Sequence, residues 1–113
     1  MKIKIEDMNG IRTLALAGRF DASATGGFKD TFKGLLQEGA ANSVVDLQKV
    51  DYIDSGGLGS LVSALRQTRS VDGDIRISGL SGKVRSVFEL TRLHRIFEIF
   101  DDELQAVKSY RTN

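Results

Sequence analysis

Asp51-Tyr52-Ile53-Asp54-Ser55-Gly56-Gly57-Leu58-Gly59 is the stretch on which the reading of this chain turns. The apolar run Val44-Val45-Asp46-Leu47 leads into it. Leu58, Leu61, Val62 and Leu65 leave it at the i, i+3, i+4, i+7 spacing of an amphipathic helix. This pattern predicts a strand, a short loop and a helix N-terminus in succession. Backbone N–H groups in the first turn of a helix lack intrahelical partners, and the positive end of the helix dipole points the same way. A carboxylate (Asp54), a hydroxyl (Ser55) and three glycines therefore gather where a negative charge is well tolerated.

Upstream, Ile3 and Ile5 alternate with Lys2, Lys4 and Glu6, the pattern of a half-buried strand. Asn9-Gly10 supplies the positive φ that both central positions of a type I′ hairpin turn need. Ile11, Leu14 and Leu16 form the returning strand, which is expected to end near Gly18. Asp21 or Ser23 is placed to cap a helix carrying Phe28, Phe32, Leu35 and Leu36 on one face, and Gly39 is placed to end it. Ser43 to Leu47 reads as a short central strand.

Downstream of the second helix, Asp72-Gly73-Asp74 is a turn and Ile75 and Ile77 belong to a strand. Ser81 is the expected N-cap of a third helix with Val84, Val87, Phe88 and Thr91 inward. Ile96 to Phe100 reads as the last strand, with Phe97 and Phe100 on opposite faces and one of the two exposed. Asp101 or Asp102 would cap a terminal helix with Leu104 and Val107 inward. The order ββαβαβαβα predicts an α/β fold with a mixed, mostly parallel sheet of about five strands and helices packed beside it. One domain over residues 1–113 is expected at this length.

Composition narrows the chemistry. Sixteen basic and fifteen acidic residues leave a net charge of +1, which gives no nucleic-acid footprint. The absence of cysteine rules out disulfides and thiolate metal sites, and the single histidine, His94, argues against a zinc site or a Ser–His pair. Residues 1–6 alternate charged with apolar and contain no long apolar run, so a cytoplasmic protein with no membrane insertion is expected. Ser55 is not in a G-x-S-x-G elbow. Gly56-Gly57-Leu58-Gly59 has neither a P-loop ending nor G-x-G-x-x-G spacing, and no cofactor is expected.

In a parallel sheet, functional groups collect beyond the carboxyl ends of the strands, which places Asp21 and Asp54 together beside Ser55. Paired acids with a serine fit metal-dependent phosphoryl chemistry, a phosphorylated switch, or two helix caps. Lys83, Arg85, Arg92 and Arg95 cluster with His94, opposed only by Glu89. They form either a solvated helix face or a docking surface for an acidic partner or lipid head group.

Val44-Val45-Asp46-Leu47, then Asp51 to Gly59, then Lys83-Val84-Arg85 through Leu90-Thr91-Arg92-Leu93 resemble a STAS domain of the bacterial anti-sigma-factor antagonist type. The resemblance runs from Gly18-Arg19-Phe20-Asp21 to Phe100, essentially the whole chain. It implies a STAS fold and a non-enzymatic module that binds an anti-sigma factor, itself a serine kinase with a histidine-kinase-like ATPase fold, and so releases a sigma factor. It implies a partner-binding site at Asp21, Asp54, Ser55, Gly56, Gly57 and Leu58. In the family, phosphorylation at the start of the second helix breaks the complex, and a PP2C-type phosphatase restores it.

The acceptor position of that family corresponds to Gly56, which has no hydroxyl. Ser55 matches the preceding serine, which is not the family's acceptor, and a shift of one residue at a helix start turns the side chain by ~100°. The expectation is partner binding without the phosphorylation brake, with Ser55 as a cap or contact. A phosphatase becomes a partner only if Ser55 takes phosphate. Glycine at 56 would also let a partner backbone approach more closely than serine. Arg92 stands where the family commonly has glycine and implies a different C-cap for the third helix. Two other roles fit the same residues: a cytosolic STAS subunit of a membrane transporter, and a nucleotide-binding STAS module. A monomer, or a weak homodimer paired through the exposed first strand, is expected.

Overall fold

A computed structural model gives the fold and describes residues 1–110. The chain opens with strands β1 (Lys2–Met8) and β2 (Ile11–Phe20), joined by Asn9 at φ 57° and Gly10 at φ 84°. The Gly10 N–H donates to Asp7 Oδ1 at 3.0 Å and closes this turn. Then follow α1 (Thr25–Gln37), β3 (Asn42–Ile53), α2 (Ser55–Arg69), β4 (Asp74–Ser78), α3 (Gly82–Leu90), β5 (Ile99–Phe100) and α4 (Glu103–Lys108). Short 3-10 turns occupy Ala22–Ala24 and Leu93–Arg95. The five strands lie side by side in chain order; β1 and β2 are antiparallel and every later pair is parallel.

Alternation along the strands divides the apolar residues between the two faces of the sheet. Leu14, Leu16, Val45, Leu47, Ile75 and Ile77 join the buried side chains of α1, α2 and α3 in one core. Phe20, Phe28 and Phe32 stack within it at ring separations of 5.0 and 5.4 Å. On the reverse face Val44 meets Ala106 and Val107 of α4, with Met8, Ile11, Phe100 and Tyr110 around them. At the end of α1, Gly39 N–H donates to the Leu36 carbonyl and Ala40 N–H to the Leu35 carbonyl, both at 3.0 Å, with Gly39 at φ 85°. This Schellman arrangement is what the glycine predicted.

Several elements depart from the sequence expectation. β3 runs twelve residues, so Asp51-Tyr52-Ile53 are strand and not loop. Register shifts opposite Ala15–Ala17 and Gly18–Arg19 interrupt the period-two pattern, which hid the second half of the strand. β5 has only two residues. Phe97 precedes it and is buried against Phe88, and Phe100 is half-buried on the other face, so neither is exposed. Ile5 is 44% exposed on the sheet's edge strand, and Ile3 and Met8 are the half-buried positions of β1.

Among the helices, Ser60 lies outside the apolar stripe yet is buried, because α2 packs against α1 as well as the sheet; its hydroxyl donates to the Gly57 carbonyl at 2.9 Å. Thr91 is exposed and donates to the Val87 carbonyl. Ser81 holds the N-cap position of α3, but its hydroxyl makes no capping bond. Asp102 caps α4 by accepting from Gln105 N–H at 2.8 Å. Leu104 is 52% exposed, and Ala106 takes its place inward.

Arg92 also overturns its expectation. It holds the left-handed conformation (φ 61°, ψ 19°) after α3, and its N–H donates to the Glu89 carbonyl at 3.1 Å. The C-cap is therefore the left-handed kind that glycine would make, with an arginine bearing the steric cost. Arg92→Gly should raise stability by about 0.5–1 kcal/mol, the left-handed penalty less the added chain entropy. A higher urea midpoint at unchanged m-value is the expected reading, and an equal or lower midpoint would contradict it.

Glu103 opens α4 in a setting that disfavours its charge. Burial first, then Asp46 and Glu6, push its carboxyl above the usual range, with Lys4 opposing. Because the folded-state value is raised, the stability contributed by this group is full below the unfolded value. It is lost as pH rises through the folded one. Glu103→Gln should therefore flatten the pH–stability curve at its upper carboxylate end and leave acid stability unchanged, as read by thermal melts across that range.

Candidate functional site

β2 and β3 run parallel and end in register at Phe20 and Ile53. Each is followed by an aspartate in nearly the same backbone conformation, Asp21 at φ −112°, ψ −173° and Asp54 at φ −113°, ψ −174°. Extended backbone ending in a short acidic side chain is the geometry of an N-cap, and both acids cap. Asp21 Oδ1 accepts from the Ser23 N–H at 3.1 Å and from the Ser23 hydroxyl at 2.6 Å. Asp54 Oδ1 accepts from the Gly57 N–H at 3.0 Å, while its Oδ2 accepts from the Ala22 N–H at 3.3 Å. One carboxylate thus ties the start of α2 to the neighbouring junction.

The hydroxyl of Ser23 holds the Asp21 carboxyl below the usual carboxylate range, against partial burial, and the Ser23 N–H and Arg19 add to the effect. With its folded-state value depressed, Asp21 contributes stability above the ordinary carboxylate range and loses it as pH falls through the lowered value.

The structure brings Asp21, Asp54, Ser55 and Gly56 together at the carboxyl end of the sheet, but it does not present all six expected contact residues to solvent. Ser55 is exposed, and its hydroxyl makes no hydrogen bond among the described residues; the capping role belongs to Asp54. Gly56 is half-buried. A Cβ there would lie 3.2 Å from Ala22 Cα and 3.2 Å from Asp54 Oδ1, so the missing side chain faces the adjacent turn and not an incoming backbone. Gly57 and Leu58 are buried. A Cβ on Gly57 would sit 2.2 Å from the Phe20 carbonyl oxygen, so only glycine lets α2 start this close to β2.

Residues that sequence reasoning missed stand beside them. The Arg19 guanidinium lies 4.0 Å from the centre of the Tyr52 ring, which is 40% exposed, and Arg19 Nε is 3.7 Å from Asp21 Oδ2. Arg19 and Tyr52 each precede a capping aspartate by two positions and are register partners. Aligning Arg19-Phe20-Asp21 with Tyr52-Ile53-Asp54 as two parallel strand ends would have exposed the pair. Among the described residues no group of three His, Cys, Asp or Glu side chains could hold a metal ion, and no helix is long and apolar enough to cross a membrane. The accessible surface offers hydroxyls, a guanidinium and an aromatic face.

Comparison with known proteins assigns the family. The STAS domain model matches residues 2–106, and the chain belongs to that family. The candidate anti-sigma factor antagonist BtrV of Bordetella bronchiseptica is 26% identical over 112 residues, spanning 99% of this chain and 97% of BtrV. The anti-sigma-B factor antagonist of Staphylococcus aureus is 27% identical over 84 residues, 74% of this chain and 78% of that protein. A crystal structure of a candidate anti-sigma factor antagonist from Thermotoga maritima superposes with a TM-score of 0.92 at 26% identity, covering 97% of this chain and 95% of that one.

Two glycines of α2 should respond oppositely to alanine. Gly57→Ala forces a methyl group into the Phe20 carbonyl and should cost about 3 kcal/mol of folding stability. Gly59, with open space around it, should gain about 1 kcal/mol from the same change by helix propensity alone. Denaturant melts of the two variants check both signs.

Proposed function

We propose that this protein is a single-domain, non-enzymatic anti-sigma-factor antagonist of the cytoplasm. It binds an anti-sigma factor of histidine-kinase-like ATPase fold through the start of α2, and that binding frees a sigma factor. The observation that carries this reading is the exposed, unbonded Ser55 beside the Asp21–Ser23 pair, on a chain related along its whole length to proteins of that description. Asp21, Asp54, Ser55 and Gly56 form the contact surface, while Gly57 and Leu58 hold it in place from beneath.

The usual phosphate acceptor is missing at Gly56, so the complex is not broken by phosphorylation and no phosphatase is needed to restore it. Charge would act at the interface: a phosphoserine adds roughly −1.5 to −2 charge. Placed beside Asp21 and Asp54, it would repel an acidic partner surface while the helix N-terminus tolerated it.

A pull-down from the native cell should recover a soluble kinase-like ATPase; recovery of a transporter ATPase would favour the transporter role instead. Incubated with that kinase and ATP, the wild-type protein should keep its intact mass. Gly56→Ser should gain the mass of one phosphate, since its Cβ needs only a few tenths of an ångström from Ala22. A stoichiometric phosphate on wild-type Ser55 would overturn the claim that the brake is absent.

A further inference from the structure

The other end of α2 borders an open groove of about 850 Å³, between α3 with its following 3-10 turn and the outer side of β5. Three features coincide there. β5 is the edge strand of the sheet, so its outer main-chain groups have no strand partner among the described residues, and residues 96–100 in succession line the groove. The opposite wall carries Arg85, Arg95 and His94, with Arg69 at the end of α2. Ile96, 38% exposed, provides apolar surface within the lining.

The acids near the groove do not cancel the charge. Asp74 and Glu98 are engaged by Arg76 at 3.3 and 2.8 Å, Arg69 meets Asp74 at 3.7 Å and donates to the Ile96 carbonyl at 2.9 Å, and Glu89 is the one acid on α3. Lys83, Arg85, Arg92 and Arg95 form no ion pair among the described residues. Of the four arginines that line the groove with three acids, Arg85 and Arg95 are the two left without an ion pair among the described residues, and Lys83 and Arg92 lie outside the lining. An open strand edge offers main-chain hydrogen bonds to an added strand, and the flanking side chains select which strand is taken. Guanidinium groups along such an edge select carboxylates.

We propose that this groove is a second docking surface, which takes an extended acidic segment of a protein partner as an added strand along β5. It is independent of the Ser55 surface, because the fifteen residues of α2 hold the two about 22 Å apart.

The test uses the whole ¹⁵N-labelled chain and synthetic Glu-Val-Glu-Val-Glu-Val, with Lys-Val-Lys-Val-Lys-Val as the opposite-charge control. The acidic peptide should produce saturable amide shifts confined to Arg69, Arg85 and residues 95–100, and the basic peptide none. The double variant Arg85→Glu/Arg95→Glu, whose dispersed spectrum reports that it is folded, should bind about tenfold more weakly or worse. Raising the salt should weaken the wild-type complex. The proposal is overturned by equal response to both peptides, by shifts elsewhere, by full binding to the double variant, or by no shift at millimolar peptide. Co-sedimentation with phosphatidylserine vesicles without any peptide response would likewise overturn it, in favour of a lipid surface.

Discussion

The carboxylate of Asp54 accepts one hydrogen bond from Gly57 N–H in its own helix and another from Ala22 N–H at the neighbouring junction, and the geometry around Ser55 follows from that pair. A single acid can reach both donors only because β2 and β3 end in register, and α2 can begin there only because Gly57 has no side chain to meet the Phe20 carbonyl. Both donors are first-turn N–H groups that have no partner within their own helical turn, so the one carboxylate satisfies a donor at each of the two junctions. The surface that results is rigid below and open above. Ser55 and Ser23 sit on it without having to support it, beyond Ser23's bond to Asp21.

A second polar arrangement secures the reverse face. The Tyr110 hydroxyl lies 2.7 and 2.8 Å from the carbonyl oxygens of Ser43 and Asp74, its one proton shared between neighbouring strands. Burial and Asp74 push that phenol upward, which favours the protonated, donating form. Arg76 covers the ring at 4.0 Å and bonds Glu98, which ties α4 and its following residues to β4 and the approach to β5. Beneath, the Ser78 hydroxyl donates to the buried Asp46 carboxylate at 2.7 Å. The two faces are thus held differently, one by apolar side chains of three helices and the other by a small apolar cluster within a polar frame.

α2 joins regions of opposite chemical character. Its first turn meets the acids of the strand ends, and its last turn carries Arg66 and Arg69, the latter bonded to the Ile96 carbonyl at 2.9 Å. A carboxylate at the N-terminus and guanidinium groups at the C-terminus both oppose the helix dipole's end charges, so the same residues that suit partner contacts also favour the helix.

The hairpin at Asn9-Gly10, the glycine stop at Gly39, the helix stripe from Leu58 to Leu65, and the succession of strands and helices along the chain were legible because each depends on local conformation or short-range periodicity. So was the pairing of Asp21 with Asp54, which follows from alternating strands and helices. What the sequence could not show rests on contacts between distant segments. Ser60 is buried because α1 lies across it, β5 stops short because Phe97 turns into the core against Phe88, and Leu104 is exposed because Ala106 faces Val44. The same holds at the site. The residue types at Asp54, Ser55 and Gly57 set its chemistry, but only the register of β2 against β3 decided which of them face solvent and which are sealed beneath.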